Sequence, residues 1–558
     1  MNGLTLIGIA IVCLACAYLF YGKWLVKKWG IDPNAKTPAY THEDGQDYIP
    51  TPKAVVFCHQ FSSIAGAGPV TGPIIAAMFG WLPALLWILV GGIFFGAVHD
   101  FGALYASVKN EGKSIGLIVE KYIGRTGKQL FLMFSWIFSL LVIAAFADIV
   151  ATTFNGFKVD GSASAPNAAA ASISMLFIVG AILFGLFMKY AKPNQAVMFV
   201  AGLVFFFAMM AGGIALPLYA GKMTWLYIIF AYIFLAAVLP MWILMQPRDY
   251  LSSFLLIFMI IGAVVGVVAE NPSMNLPAFT NFTVSGKMLF PTLFVTVACG
   301  AISGFHSLVS SGTSSKQVKN EKDMLGIGFG AMAVESLLAV VALVVVGAAA
   351  KNGIMPKGTP FEIFSSGVAG FLSKLGLPMF VAQCFMTMCV SALGLTTLDS
   401  VARIGRMALQ ELLYADDGKA HTPVSKFLTN KYVSTIVTLF FGFILSLGGY
   451  NNIWPLFGSA NQLLAALVLI ALSVFLKTTG RKGWMLWVPM CIMLVVTFTA
   501  LVQAAAAICM KLFVTGKFVF LTDGLQLIMA VLLMVLGVMV AFHSFKKLFG
   551  KETVQKAA

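Results

Sequence analysis

The chain has 558 residues, 60% of them hydrophobic and only 10% charged. Apolar runs long enough to cross a bilayer recur from end to end, a balance that excludes a soluble domain of this size. The formal net charge of +15 excludes a nucleic-acid reader as well, because the basic residues are scattered through short loops and form no patch.

A membrane helix requires about 20 apolar residues, and by that measure about fifteen candidate spans follow one another. They lie at 4–25, 54–78, 81–107, 129–153, 171–189, 195–219, 225–245, 250–270, 289–315, 325–350, 377–402, 432–450, 454–476, 484–510 and 519–545. The first follows no basic leader and no small-residue cleavage site, so it is expected to be retained. Alternating sides from an outside N-terminus puts 28 of the 36 Lys and Arg in or beside cytoplasmic loops and 8 outside. That asymmetry is the one a multi-pass membrane protein with a cytoplasmic C-terminus carries. The longest connections, 31–53, 109–128, 271–288, 351–376 and 403–431, leave no room for a soluble domain. Gly92-x-x-x-Gly96, Gly262-x-x-x-Gly266 and Gly326-x-x-x-Gly330 predict close helix contacts. All eight cysteines fall in apolar segments without disulfide or metal-ligand spacing.

The second span is unlike the first. Between two apolar runs, residues 59–73 place His59, Gln60, Ser62 and Ser63 before Gly66-Ala67-Gly68-Pro69, with Thr71, Gly72 and Pro73 after it. Glycine loosens a helix and proline removes a donor, so backbone groups here must bond elsewhere. At membrane depth that is tolerated only where backbone is buried in protein or lines a polar cavity. The spacing predicts a broken helix, whose free N–H groups suit an anion such as a carboxylate and whose free carbonyls suit a cation. No Gly-Lys-Ser/Thr follows and no strand precedes, so the glycines are not a phosphate loop.

Further along, His99-Asp100 near the end of the third span reads as a gate or proton-relay pair, or as a polar anchor at a helix end. Asp148 and Glu335 are lone acids in apolar spans, where acids usually face the interior. Gln246-Pro247-Arg248-Asp249-Tyr250 reads as a short cytoplasmic turn acting as gate or hinge. The ninth span, at 299–315, repeats the features of the second: Cys299, Ser303, Gly304, His306, Ser310 and Ser311 bring a cysteine, a histidine, hydroxyls and loosening glycines. Ser303 and Ser310 share a helical face with His306, a histidine that can titrate near neutral pH. The two polar spans are seven apart and therefore cross in opposite directions. Opposed broken helices point to an inverted-repeat transporter with its site at the midplane. In the eleventh span Asp399 and Arg403, four apart, are expected to pair, while Thr397 and Ser400 turn two hydroxyls toward a cation site. Asn461 and Gln462 are polar at membrane depth in the thirteenth.

The run Cys58-His59-Gln60-Phe61-Ser62-Ser63-Ile64-Ala65-Gly66-Ala67-Gly68-Pro69, followed by Gly96-Ala97-Val98-His99-Asp100-Phe101, resembles the carbon starvation protein A family, as do 246–250, 397–406 and 454–464. The resemblance implies a bacterial inner-membrane transporter taking up peptides or pyruvate, driven by protons, with a LeuT-like fold. In that mapping the second span is the first core helix, the ninth the sixth, and spans ten to thirteen core helices seven to ten. Seven spans separate the broken helices where a five-helix repeat predicts five, so either two are inserted or the architecture is seven-plus-seven.

The reading is therefore an all-α polytopic membrane protein with a LeuT-like inverted-repeat core, two broken helices and extra helices. Residues 1–53 form an N-terminal helix and loop, 54–476 the core with inserted helices, and 477–558 accessory helices and a cytoplasmic tail. His59, Gln60, Ser62, Ser63, Gly66, Gly68, Ser303, Gly304, His306, Ser310 and Ser311 are expected to line the substrate site. His99, Asp100, Thr397, Asp399, Ser400 and Arg403 are expected to serve coupling or gating. No enzyme activity, cofactor, bound metal or nucleic-acid partner is expected; the coupling ion is H⁺ or Na⁺, and the surroundings are lipid.

Overall fold

The computed structural model describes residues 1–45, 47–158, 161–240, 242–414, 420–516 and 518–549. Of the predicted accessory helices and cytoplasmic tail at 477–558, residues 517 and 550–558 lie outside the described residues. The chain starts with α1 (Gly3–Trp29) and crosses to the first interrupted span, α2 (Lys53–Ile64) and α3 (Gly68–Phe79), which meet at a bend of 46°. Gly80, at φ +104°, turns the chain at once into α4 (Trp81–Lys109). A Cβ at Gly80 would also run into the backbone of Ala278 and Phe279, so two constraints select glycine there.

After the short α5 (Ile115–Tyr122) come α6 (Arg125–Phe154), the hairpin of α7 (Ala165–Ala191) and α8 (Gln195–Ala215), α9 (Lys222–Val238) and α10 (Met245–Glu270). Asn194 caps α8 by accepting a hydrogen bond from the Val197 N–H. A two-stranded hairpin, β1 (Thr283–Val284) and β2 (Lys287–Met288), leads into the second interrupted span, α11 (Leu289–Thr296) and α12 (Gly304–Gly312). The chain then runs through α13 (Glu321–Ala349), α14 (Pro360–Lys374), α15 (Met379–Leu413), α16 (Pro423–Leu428), α17 (Lys431–Ser446), α18 (Tyr450–Thr478), α19 (Trp484–Met510) and α20 (Leu525–Phe549).

Among the described residues, eleven helices are long and apolar enough to cross a membrane, and the α2–α3 pair makes twelve. The other predicted spans fall on α9 and α17, which are shorter, and on the interrupted α11–α12. The core is deepest along α18 and α6, whereas α8, α20 and α1 turn much of their surface outward, as lipid-facing helices do. The two interrupted spans lie antiparallel. Thr51, just before α2, donates to Gln317 O beyond the end of α12 (3.0 Å). At the opposite end, Thr280, ahead of α11, donates to Phe79 O at the close of α3 (3.0 Å).

Each interrupted span is followed by a helix with a π-helical turn at a Gly-x-x-x-Gly motif, Gly92–Gly96 in α4 and Gly326–Gly330 in α13. The missing side chains let α4 press on Ala301, Met332 and Ser336, and let α13 press on Phe101. The third motif, Gly262 and Gly266 in α10, packs on Leu372 and Phe371 of α14. The broken-helix-then-glycine-turn sequence thus occurs twice in opposite directions.

Candidate functional site

The first break opens because Gly66, Gly68 and Pro69 cannot sustain the helix: Ala65 leaves the helical region at φ −72°, ψ 73°, and Pro69 restarts it in the first turn of α3. The second spans 297–303, from Val297 at φ −90°, ψ 61° to an extended Ser303. The breaks touch. A Cβ on Gly68 would overlap the Cys299 side chain, and one on Gly72 would sit 2.6 Å from Thr296 O. Gly66 lies equally close to Thr397 of α15.

Backbone freed at the second break is satisfied by side chains of three other helices, as a buried chain demands. Trp87 of α4 donates to Phe294 O (3.2 Å) and Val297 O (3.3 Å), and Ser336 of α13 donates to Gly300 O (3.1 Å). In α18, Gln462 donates to Phe294 O (2.7 Å), while Asn461 Oδ1 accepts from the Phe305 N–H (3.1 Å). Asn461 Nδ2 also donates to Ser303 Oγ (3.0 Å). The polar pair noticed in the thirteenth span is therefore the clip that holds the second break in shape.

The residues predicted to line a substrate site surround these breaks, and all are buried. Gln60 bridges the two spans: its Nε2 donates to Ser310 Oγ (2.9 Å), and its Oε1 accepts from Ser314 Oγ (2.6 Å). Ser62 donates to His59 O (3.3 Å). Ser311 donates to Ser307 O (2.7 Å) and accepts from the Ile115 N–H (3.2 Å). Ser63 is buried beside them, and Gly304 packs directly on the α18 backbone at Asn461 and Ala465.

His306 turns the other way, into a string of fully buried ionisable groups. Its Nδ1 lies 2.8 Å from Asp100 Oδ2, and His99 Nδ1 lies 2.9 Å from Asp100 Oδ1. On its far side Nε2 approaches Glu335 Oε2 of α13 at 3.4 Å. Neither that nitrogen nor either Glu335 oxygen makes a hydrogen bond, so this contact is electrostatic only. His99-Asp100 is therefore a buried element of a three-helix cluster, and the helix-end anchor reading falls. Cys299 Sγ, His306 and Glu335 present three ligand atoms within 4.8 Å of one another, the one group among the described residues with the makings of a metal site.

A second network ties α2, α9, α10 and α15. His59 contacts Asp249 through Nδ1 (3.3 Å) and Thr313 Oγ1 through Nε2 (3.0 Å). The neighbouring Arg248 pairs with Asp399, which also accepts from Tyr232 Oη (2.6 Å). Two expectations are corrected here. Asp399 and Arg403 do not pair: Arg403 turns to the carbonyls of Ala236 (3.3 Å) and Leu239 (2.6 Å), which close α9 and would otherwise lack donors. Residues 246–250 are not a turn but the first turns of α10, with Arg248 and Asp249 buried. Asp148, a lone acid in sequence, meets Lys222 (2.7 Å) and the Tyr450 N–H (2.9 Å).

Space is unequally divided between the two ends. A vestibule of about 1190 Å³ is lined by Ile74 and Met78 of α3, Thr152, Asn155, Glu362 and Gln383. At the lysine- and arginine-rich end a cavity of only about 80 Å³ borders His59, Ser311, Thr313, Ser400 and Arg403. Thr397 faces the first break whereas Ser400 borders this lower cavity, so the two hydroxyls do not converge. Sequence reasoning missed Tyr232 and Cys299 as site members, and it left Glu335 without its partner. A lone acid and a lone histidine in separate apolar spans were the available signal, since each must find a counter-charge.

Two opposed, interrupted helices clipped at their breaks, with a large cavity toward one end and a small one toward the other, define a membrane transporter of the LeuT-like fold. The architecture is similar to that of the Eremococcus coleocola manganese transporter, with a TM-score of 0.51 at 10% identity over 90% of this chain and 99% of that one. The chain belongs to the carbon starvation protein CstA family, whose profile, "Carbon starvation protein CstA", matches residues 2–355 and 347–500. It is 33% identical to the peptide transporter CstA of Escherichia coli K12, over 90% of this chain and 81% of that protein. It is 31% identical to the pyruvate/proton symporter BtsT of the same organism, over 87% and 79%. The Campylobacter jejuni peptide transporter CstA stands at 34% over 89% and 79%.

Proposed function

We propose that the protein is a proton-coupled symporter importing pyruvate or short peptides across a bacterial inner membrane. The observation that carries this is the contact of the two antiparallel breaks, where Gly68 meets the Cys299 side chain with no room for a Cβ. A carboxylate is bound there, between Ser62–Gly68 and Ser303–Ser311, once the side chains that now fill the gap move apart. The N-terminus lies outside and the C-terminus in the cytoplasm, so the vestibule opens to the periplasm. His306 belongs to the buried ionisable cluster through which the proton is coupled, and His59 lies toward the basic end of the site. The core runs over 54–476, with the α7–α8 hairpin as the inserted pair of spans. A sodium-coupled reading draws on Thr397, whose hydroxyl lies against Gly66.

Uptake of labelled pyruvate and of a labelled dipeptide into proteoliposomes, under an imposed proton or sodium gradient, tests this. Accumulation of one solute driven by the proton gradient is expected, and His306→Ala is expected to abolish it. Accumulation on the sodium gradient alone would transfer the coupling to Thr397. If neither gradient drives either solute, the proposal fails.

A further inference from the structure

The proton-coupled reading leaves open where the proton sits. Two carboxylates and two imidazoles, from α4, α12 and α13, share one pocket in which His99, Asp100, His306 and Glu335 are all 0% exposed. None of the ion pairs among the described residues brings a lysine or arginine to them. The groups acting on Glu335 are His306 and Asp100; those acting on His306 are Asp100, Glu335 and the Cys299 thiol. From α18 the nearest polar group is neutral, the Asn461 amide, which donates to Cys299 Sγ (3.6 Å).

The two acids are not equivalent. Asp100 has a ring nitrogen on each oxygen, at 2.9 and 2.8 Å, the setting that stabilises a carboxylate. Both Glu335 oxygens are buried and unbonded. A second buried negative charge with no donor is unfavourable, so the pocket is balanced when Asp100 is ionised, His306 is its imidazolium and Glu335 is protonated. We infer that Glu335 is the coupling-proton site, with His306 and Asp100 as its fixed ion pair and His99 positioning Asp100. On unloading, the Glu335 O–H bond breaks, the proton passes to water admitted from the cytoplasmic side, and the pocket is left with one net negative charge.

This also explains the direction of coupling. Cys299 contacts both parts of the machinery: its sulfur belongs to the Glu335–His306 cluster, and its side chain presses on Gly68 at the breaks. The charge change therefore occurs one side chain away from where the carboxylate is proposed to bind. A neutral pocket admits the anion and a negative one expels it, so proton and anion load and leave together.

The inference rests on the proton-coupled reading, and full-length Glu335→Gln and Glu335→Asp in proteoliposomes separate the two. Glu335→Gln is expected to lower accumulation on a proton gradient by at least about tenfold. Exchange of labelled for unlabelled solute is expected to persist and to lose its dependence on pH. Glu335→Asp, which keeps an acid, is expected to shift the pH midpoint of exchange and retain some accumulation, and it serves if Glu335→Gln does not fold. Wild-type accumulation and pH profile in Glu335→Gln, or an unshifted midpoint in Glu335→Asp, would overturn the assignment while leaving proton coupling intact. Zn²⁺ binding to the purified protein that disappears in Glu335→Gln, with wild-type coupling retained by that variant, would make the triad a metal site instead. No proton-driven accumulation by the wild type would remove the reading and the inference together.

Discussion

Gly68 illustrates how much a single absent side chain can decide. Its Cα is close enough to Cys299 that any Cβ would collide with the cysteine side chain, so the two breaks touch only because one partner is glycine. Gly68→Ala overpacks this contact, a change that costs typically about 1–3 kcal/mol in a well-packed interior. We expect it to lower the thermal midpoint of the purified protein and to suppress uptake. Cys299→Gly in the same chain, which clears the colliding atoms, should restore the midpoint. If the double variant is no more stable than Gly68→Ala, the close approach is not the reason for glycine. Gly72 differs in kind, because a Cβ there meets the Thr296 carbonyl, and no side-chain substitution could relieve that clash.

At the level of elements, the start of α10 carries two consecutive charged residues that reach different helices, Arg248 to Asp399 of α15 and Asp249 to His59 of α2. One turn thus clasps a broken helix to a continuous one above the small basic-end cavity. Removing one member of a buried pair strands its partner at about 3–5 kcal/mol, whereas replacing both with apolar groups is often neutral. Arg248→Leu should therefore destabilise strongly, and Arg248→Leu with Asp399→Leu should recover much of the loss in thermal unfolding; equal midpoints for the single and double variants would contradict the pairing. The clasp also shows where sequence reasoning stops. Periodicity and glycine content are local, so the two broken helices and their opposed directions could be read from 59–73 and 299–315. The i, i+4 rule suggested Asp399–Arg403, but partner choice is tertiary: Arg248, on a helix packed alongside α15, took the carboxylate. Glu335 was visible as an acid in an apolar run, yet that it faces His306 depends on how α12 and α13 pack.

Across the whole molecule, the loop-charge bias and the span pattern were legible because the bilayer imposes both on every helix. Where open space lies was not, since cavities depend on how helices tilt against one another. That division of space has a consequence for water. At about 30 Å³ per molecule, a vestibule of some 1190 Å³ holds about forty waters at bulk density, against two or three in the lower cavity. Closing the vestibule over a solute must expel most of them, so that step responds to the osmotic pressure of the compartment it faces only when the osmolytes there cannot enter. A polymer too large for the vestibule, placed in the compartment it faces, draws water out and favours closure. Fluorescence from a label on Gln383 should report closure with increasing concentration of such a polymer, and a smaller osmolyte of equal osmolality should have less effect. Transport by this fold is in that sense a hydration reaction, with water as a counted participant on the vestibule side.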